Sequence, residues 1–230
     1  MFARRLGAMT TYIDSLKRLL FFKLAVIYLR YLIGFAFVFA SIIKIKGDRF
    51  TSISPSEPIG YFFEALYQSG FYWNFLGWSQ FIAGALMMTQ RFATVGTLMF
   101  LPIILNVFMI THAIDFGMGT PVITTLMLLG TLFLLAWDYQ KWTILFKRDH
   151  SIHVDLTGKP KDNFMHHPVW TVAGVIFVLM ATIPWLFDFH QLFIWAIAML
   201  SVGAGAFVIV LYNVRRGEGP VKREHPGISG

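Results

Sequence analysis

What most limits the folding of this chain is the recurrence, from Phe21 to Tyr212, of apolar runs near the length of a membrane crossing, broken by short polar segments. A crossing helix needs about 20 predominantly apolar residues. The runs are Phe21 to Ile45, Phe71 to Thr89, Phe92 to Ala113, Thr120 to Tyr139, Pro168 to Phe187 and Gln191 to Tyr212. Six such crossings use roughly 120 residues, which leaves no room among 230 for a sizeable soluble domain. The composition agrees: 57% hydrophobic and 13% charged residues, with a mean hydropathy of +0.64, do not suit a water-facing surface. The first run is too long for a secretory signal and lacks a small-residue cleavage site after it. The expected fold is therefore an all-α integral membrane protein with six transmembrane helices.

The basic residues orient these spans. Arg4, Arg5, Lys17, Arg18 and Lys23 precede the first; Arg91 lies between the second and third; Lys141, Lys147, Arg148, Lys159 and Lys161 follow the fourth; Arg215, Arg216, Lys222 and Arg223 follow the sixth. All of these fall on one side of a six-span chain, and only Lys44, Lys46 and Arg49 fall on the other. The asymmetry predicts both termini in the cytoplasm of a multi-pass protein of a bacterial inner membrane. It also explains the net charge of +7 without nucleic acid as a partner. Two segments read as amphipathic and interfacial: Thr10 to Leu20 on the inner side, and a helix on the outer side capped by Ser56, with Pro58 in its first turn and Gly70 at its end. Six tryptophans, Trp73, Trp78, Trp137, Trp142, Trp170 and Trp185, sit near predicted helix ends, where interfacial indoles are expected.

Polar residues at membrane depth mark candidate sites. Arg30 shares a helical stripe with Gly34, Phe37, Ser41 and Lys44, and the second span presents Trp73, Gly77, Gln80 and Gly84 at similar spacing. The third carries Asn106 beyond Pro102, and His112 at its outer boundary. An ideal helix needs only one of those two to face the bundle centre. Arg30 has two readings: a clamp onto carbonyls or onto Asn106 and Gln80, or a binder of an anionic or polar ligand. Lys44, nearer a helix end, can snorkel. The threonines of Thr120, Thr124 and Thr131, on a stripe with Asp138, are expected to bond back to their own helices. Ser201 and Gly205 read as a packing face of the sixth span.

Several chemistries find no support. With no cysteine, disulfides, thiolate catalysis and Cys-held metal clusters are absent. His112 and His190 stand at helix edges, unlike a buried haem pair. His150, His153, His166 and His167 match no familiar zinc spacing. Haem and metal are disfavoured, and the sequence has no phosphate loop or nucleophile elbow. Neither inverted repeats nor broken helices suggest a transporter.

Residues 28 to 140 resemble the DoxX-like family of small membrane proteins. The resemblance rests on Arg30, Gly34 and Lys44 within YLRYLIGFAFVFASIIKI, on Gly70-Phe71, on Gly77, Gly84 and Arg91 within LGWSQFIAGALMMTQRFATVG, and on His112. It departs at Gln80, where family members often carry Glu, and at Ser41, which replaces a Gly. It implies a four-helix bundle and, through relatives associated with thiosulfate:quinone oxidoreduction, a redox setting. The chain then divides into an interfacial arm (1–21), a DoxX-like core (22–140), a cytoplasmic loop (141–166), a C-terminal transmembrane hairpin (167–213) and a basic tail (214–230). Two functions follow as expectations. One is an accessory subunit of a redox membrane complex, with Arg30, Gln80, Asn106, His112 and Lys44 binding a quinone headgroup or small polar ligand within the bundle. The other is a non-catalytic scaffold or assembly subunit holding other membrane protein subunits. A ligand pocket requires Arg30 and Gln80 to be free of protein partners, whereas a scaffold requires them to be satisfied.

Overall fold

The computed structural model describes residues 13–114, 116–117, 119–143, 164–186 and 192–216. Their regular secondary structure is helical, without strands among the described residues. The helices are α1 (Leu20–Lys46), α2 (Pro58–Gln68), α3 (Phe71–Met88), α4 (Ala93–Ala113), α5 (Gly119–Trp137), α6 (Tyr139–Thr143), α7 (Pro168–Leu186) and α8 (Leu192–Arg216). Among the described residues, four are long and apolar enough to cross a membrane: α1, α4, α5 and α8 from Ile194 onward. The chain is a multi-pass helical membrane protein. The 18-residue α3 carries Asn74, Ser79 and Gln80, and α7 is apolar over the shorter stretch Pro168–Ile183.

The core is a ring in which α1 packs on α3, α3 on α4 and α4 on α5, while α5 meets α1 over only a short stretch. α7 lies on the seam between α1 and α3, and α8 packs behind it on α7. Backbone proximity builds that seam. A Cβ on Gly34 would stand 2.7 Å from the Gly84 carbonyl oxygen, and one on Gly84 would stand 2.8 Å from that of Gly34. Gly174 of α7 lies against the Met88 carbonyl more closely still, a Cβ there standing 1.9 Å from its oxygen. Small residues let apolar helices associate where lipid provides no hydrophobic drive between them.

Inside the ring, Phe37 and Phe100 meet edge to face at 4.4 Å, with Val26, Ile33, Met87, Ile104 and Leu134 buried around them. A second cluster joins α1 to the last hairpin through Tyr31, Trp170, Phe177 and Val210. The tryptophans depart from expectation. Trp73, Trp137 and Trp170 are buried because α3, α5 and α7 turn those faces into the bundle. The Trp73 indole donates to Asp48 O at 3.1 Å and that of Trp170 to Phe164 O at 2.8 Å. Trp78 alone among the α3 indoles faces outward.

Other expectations also shift. The cap of α2 is Glu57, not Ser56, and its C-cap is Ser69, with Gly70 at φ +57° forming the turn into α3. On α8 the packing glycine is Gly203, against Tyr28. Gly205 faces open space, and Ser201 bonds back to Ile197. Thr124 and Thr131 bond back to Pro121 and Met127 as expected. Of the interfacial arm, Ile13 to Leu16 form a helical turn. The tail, most of the loop after α6, Trp185's side chain, Asp188 and His190 lie outside the described residues.

Candidate functional site

Arg30, ten residues into α1, is 2% exposed. It is level with the α3–α4 turn and the end of α5, at the basic end of the bundle. One terminal nitrogen, Nη1, donates to Gln90 Oε1 at 3.0 Å, and the other, Nη2, to Asp138 Oδ2 at 2.5 Å. Asp138 is buried as deeply as Arg30. Its Oδ2 also accepts from Thr94 Oγ1 at 3.0 Å, and its Oδ1 meets the half-exposed Lys141 at 3.1 Å. Gln90 completes the cluster by donating Nε2 to Ile27 O at 3.3 Å. Thus α1, the α3–α4 turn, the first turn of α4 and the end of α5 are tied at one point. A buried charge must be paired and hydrogen-bonded to be tolerated, and this one is, except that Arg30 Nε has no partner.

The turn that delivers Gln90 is strained. Gln90 has φ +59°, the only positive φ outside glycine among the described residues, a conformation that costs a non-glycine residue about 1–2 kcal/mol. The two hydrogen bonds of its side chain hold it there. Sequence reasoning placed Gln90 only in a polar turn and Asp138 only on a helix stripe. The available signal was an acid and an amide at the same end of the bundle as an arginine at membrane depth, whose charge needs a partner.

Lys44 stands at the opposite end of α1, about 21 Å away at 1.5 Å per residue. It does not snorkel: it is 6% exposed, its Nζ donates to Ala40 O at 3.0 Å and sits over the Phe50 and Trp73 rings at 4.5 and 5.3 Å. The connection from α1 to α2 folds over it, which is why the ammonium is enclosed. Arg49 in that connection makes a bidentate pair with Glu64 of α2 at 2.8 and 3.0 Å and lies over the Tyr67 ring. The hydrogen bonds from Arg49 and then Gln68 hold the Glu64 carboxyl well below its usual range, at about 2. A small cavity of about 230 Å³, lined by Phe50, Ser54 and Phe63 among others, lies beside this clasp.

Gln80 is buried between α1 and α3, with Oε1 lacking any hydrogen-bond partner. Asn106 and His112 face outward, both of them exposed, so neither turns to the bundle centre. The His112 ring bonds to Phe108 O at 2.8 Å and lies 3.3 Å from Thr125 Oγ1. Pro102 is accommodated within α4 without swinging these side chains inward. The five predicted ligand residues therefore occupy separate places: Arg30 at one end, Lys44 at the other, Gln80 between helices, and Asn106 and His112 outside. No cluster of three metal-ligating side chains occurs among the described residues.

No family model matches the chain, and no solved structure matches it. Over 75 residues it is 29% identical to the Uncharacterized protein YwoB of Bacillus subtilis (strain 168), a stretch covering 33% of this chain and 47% of that protein. The chain spans about half the length of the curated relative it matches.

Proposed function

We propose that this chain is a structural subunit of a membrane protein complex, a six-span scaffold with its basic end in the cytoplasm, rather than a ligand-binding redox subunit. The observation that carries this reading is the pairing of Arg30. Its terminal nitrogens are already engaged by Asp138 and Gln90, so the most buried cation of the bundle serves to join helices. The dispersal of Gln80, Asn106, His112 and Lys44 adds support, since a quinone headgroup needs donors that converge on one ring. The exposed apolar faces of α3 and α8, with Phe71, Trp78, Leu200 and Val208, offer surface to lipid or to other membrane subunits. The DoxX-like pattern of residues 28 to 140 fits a four-helix core carrying an added hairpin.

One observation favours the quinone-linked reading: the buried Gln80 Oε1 without a partner is an acceptor that a ligand hydroxyl could satisfy. Extraction from native membranes in mild detergent, followed by mass spectrometry of co-purifying proteins and small molecules and by a visible spectrum, separates the two. Stoichiometric partner subunits with a featureless spectrum are expected. Stoichiometric quinone or flavin that disappears in Gln80→Leu would replace the scaffold with the redox subunit.

A further inference from the structure

The outward face of α4 carries an amide that the described residues leave unsatisfied. α4 gives its inner side to α3 and α5, with Gly96 tight against the α3 backbone and Phe100 and Ile104 in the core. Asn106 stands on the other side, exposed, and makes no hydrogen bond among the described residues. It lies just beyond Ile103, the middle of α4, by about 5 Å at 1.5 Å per residue, and so within a hydrocarbon region of about 30 Å. Other exposed polar groups on the spans are served: His112 bonds to Phe108 O, and Ser201 of α8 donates to Ile197 O. An amide facing lipid with its donors and acceptor unmet is costly.

Asn106 sits in the middle of a seam. Val95, Met99, Pro102, Asn106, Met109 and Ala113 are all exposed and follow one another at alternating steps of four and three residues, within about 40° of a common line on an ideal helix. The outward face of any helix recurs in this way; this one is set apart by the amide on its centre line. In the heptad notation of paired helices Asn106 falls at an a position, where a single asparagine fixes register and the number of strands.

A second copy of the chain is the partner this face fits. Two copies enter the membrane in one orientation, so a two-fold axis along the membrane normal sets α4 beside α4, parallel, with position 106 next to its own counterpart. An asparagine carries donors on Nδ2 and an acceptor on Oδ1, and two of them across that axis exchange a pair of hydrogen bonds. A different subunit would have to bring a matching group at that depth, a copy brings one by symmetry, and lipid tails bring none. We infer that α4 is a homodimer interface, two chains joined along this seam by reciprocal Asn106 hydrogen bonds. The dimer adds a second copy to the partners of the structural-subunit reading and rests on that reading only for the placement of α4 in the membrane.

The chain has no cysteine, so single introduced cysteines report on this seam without background. Full-length chains carrying Met99→Cys or Met109→Cys, oxidised in intact membranes, should form a disulfide-linked species of twice the chain mass. Leu126→Cys on α5, 61% exposed against 60% for Met109, should not. Asn106→Leu, at an exposed position that leaves the packing of the single chain intact, should weaken dimerisation of the full chain in detergent roughly tenfold, read by sedimentation equilibrium. Cross-linking of Met109→Cys to a protein of another mass, equal cross-linking of Leu126→Cys, no cross-link at either seam position, or undiminished association in Asn106→Leu would each overturn the inference. Stoichiometric co-purifying subunits without an α4 cross-link would keep the structural-subunit reading and remove the dimer.

Discussion

The Arg30 guanidinium and the Asp138 carboxylate, 108 positions apart in the chain, meet at 2.5 Å with both side chains almost fully buried. Because α1 and α5 share only a short contact otherwise, this pair is the main tie between the first and last helices of the ring. Removing one member leaves a buried charge unpaired, which destabilises by about 3–5 kcal/mol. Arg30→Ala should therefore lower the thermal midpoint in detergent by roughly 10 °C. Arg30→Met combined with Asp138→Leu should recover most of that loss. Lys44→Met should be neutral or stabilising, since the Lys44 ammonium gives up only one backbone bond and two ring contacts. A double variant no better than Arg30→Ala would show that the charges themselves are needed.

Gln90 separates backbone strain from side-chain bonding. Gln90→Ala loses both hydrogen bonds and keeps the left-handed φ, whereas Gln90→Gly loses the bonds but relieves about 1 kcal/mol of strain. Thermal melts should rank wild type above Gln90→Gly and Gln90→Gly above Gln90→Ala. A reversed order of the two variants would mean that the turn is not held in this conformation.

Gly174 sets the docking of the last hairpin. A Cβ there would fall 1.9 Å from the Met88 carbonyl oxygen and 2.6 Å from its carbonyl carbon, with the backbone unable to give way as a side chain does. Gly174→Val should lift α7 off the α1–α3 seam while leaving the ring closed. Limited proteolysis should then cut near Phe164 faster than in wild type, with the Phe37–Phe100 region still protected.

Two groups outside the spans respond to pH in the same direction. The Glu64 carboxyl, depressed to about 2 by its bonds to Arg49 and Gln68, contributes stability that is fully present above its unfolded value near 4.5 and lost as pH falls toward 2. Carboxyl NMR should follow that midpoint, and Arg49→Gln should raise it toward the ordinary value. Burial lowers the His167 pKa, and its Nδ1 accepts from the Val169 N–H at 3.3 Å. That contact is intact above the unfolded value near 6.5 and is lost as pH falls through the depressed folded value. His167→Gln should remove the mildly acid step in a pH series of melts.

Apolar run lengths made the helices legible, because backbone bonding in lipid ties hydropathy directly to helix position: α1, α4 and α7 begin within one residue of where the runs start. Arg30 was legible as buried, but its partners were not, since Gln90 and Asp138 lie 60 and 108 positions away and periodicity along one helix says nothing of which helix it faces. Lys44 misled because its position near a helix end favours snorkelling, whereas the following connection closes over it. Asn106 and His112 misled for the opposite reason: the cost of a polar group in lipid argues for an inward face, yet His112 meets its needs from the Phe108 carbonyl and Thr125 on its own side of α4 and α5.

The seating of α7 on an already completed ring has a consequence for how the chain can be divided. The Arg30–Asp138 tie lies wholly before residue 143, and the hairpin meets the ring through surface contacts such as Tyr31 with Trp170 and Met88 with Gly174. None of these requires one strand of the chain to thread through another. A gene cut between Thr143 and Phe164 should thus yield two fragments that reunite in the membrane, the second behaving toward the first as a separate subunit would.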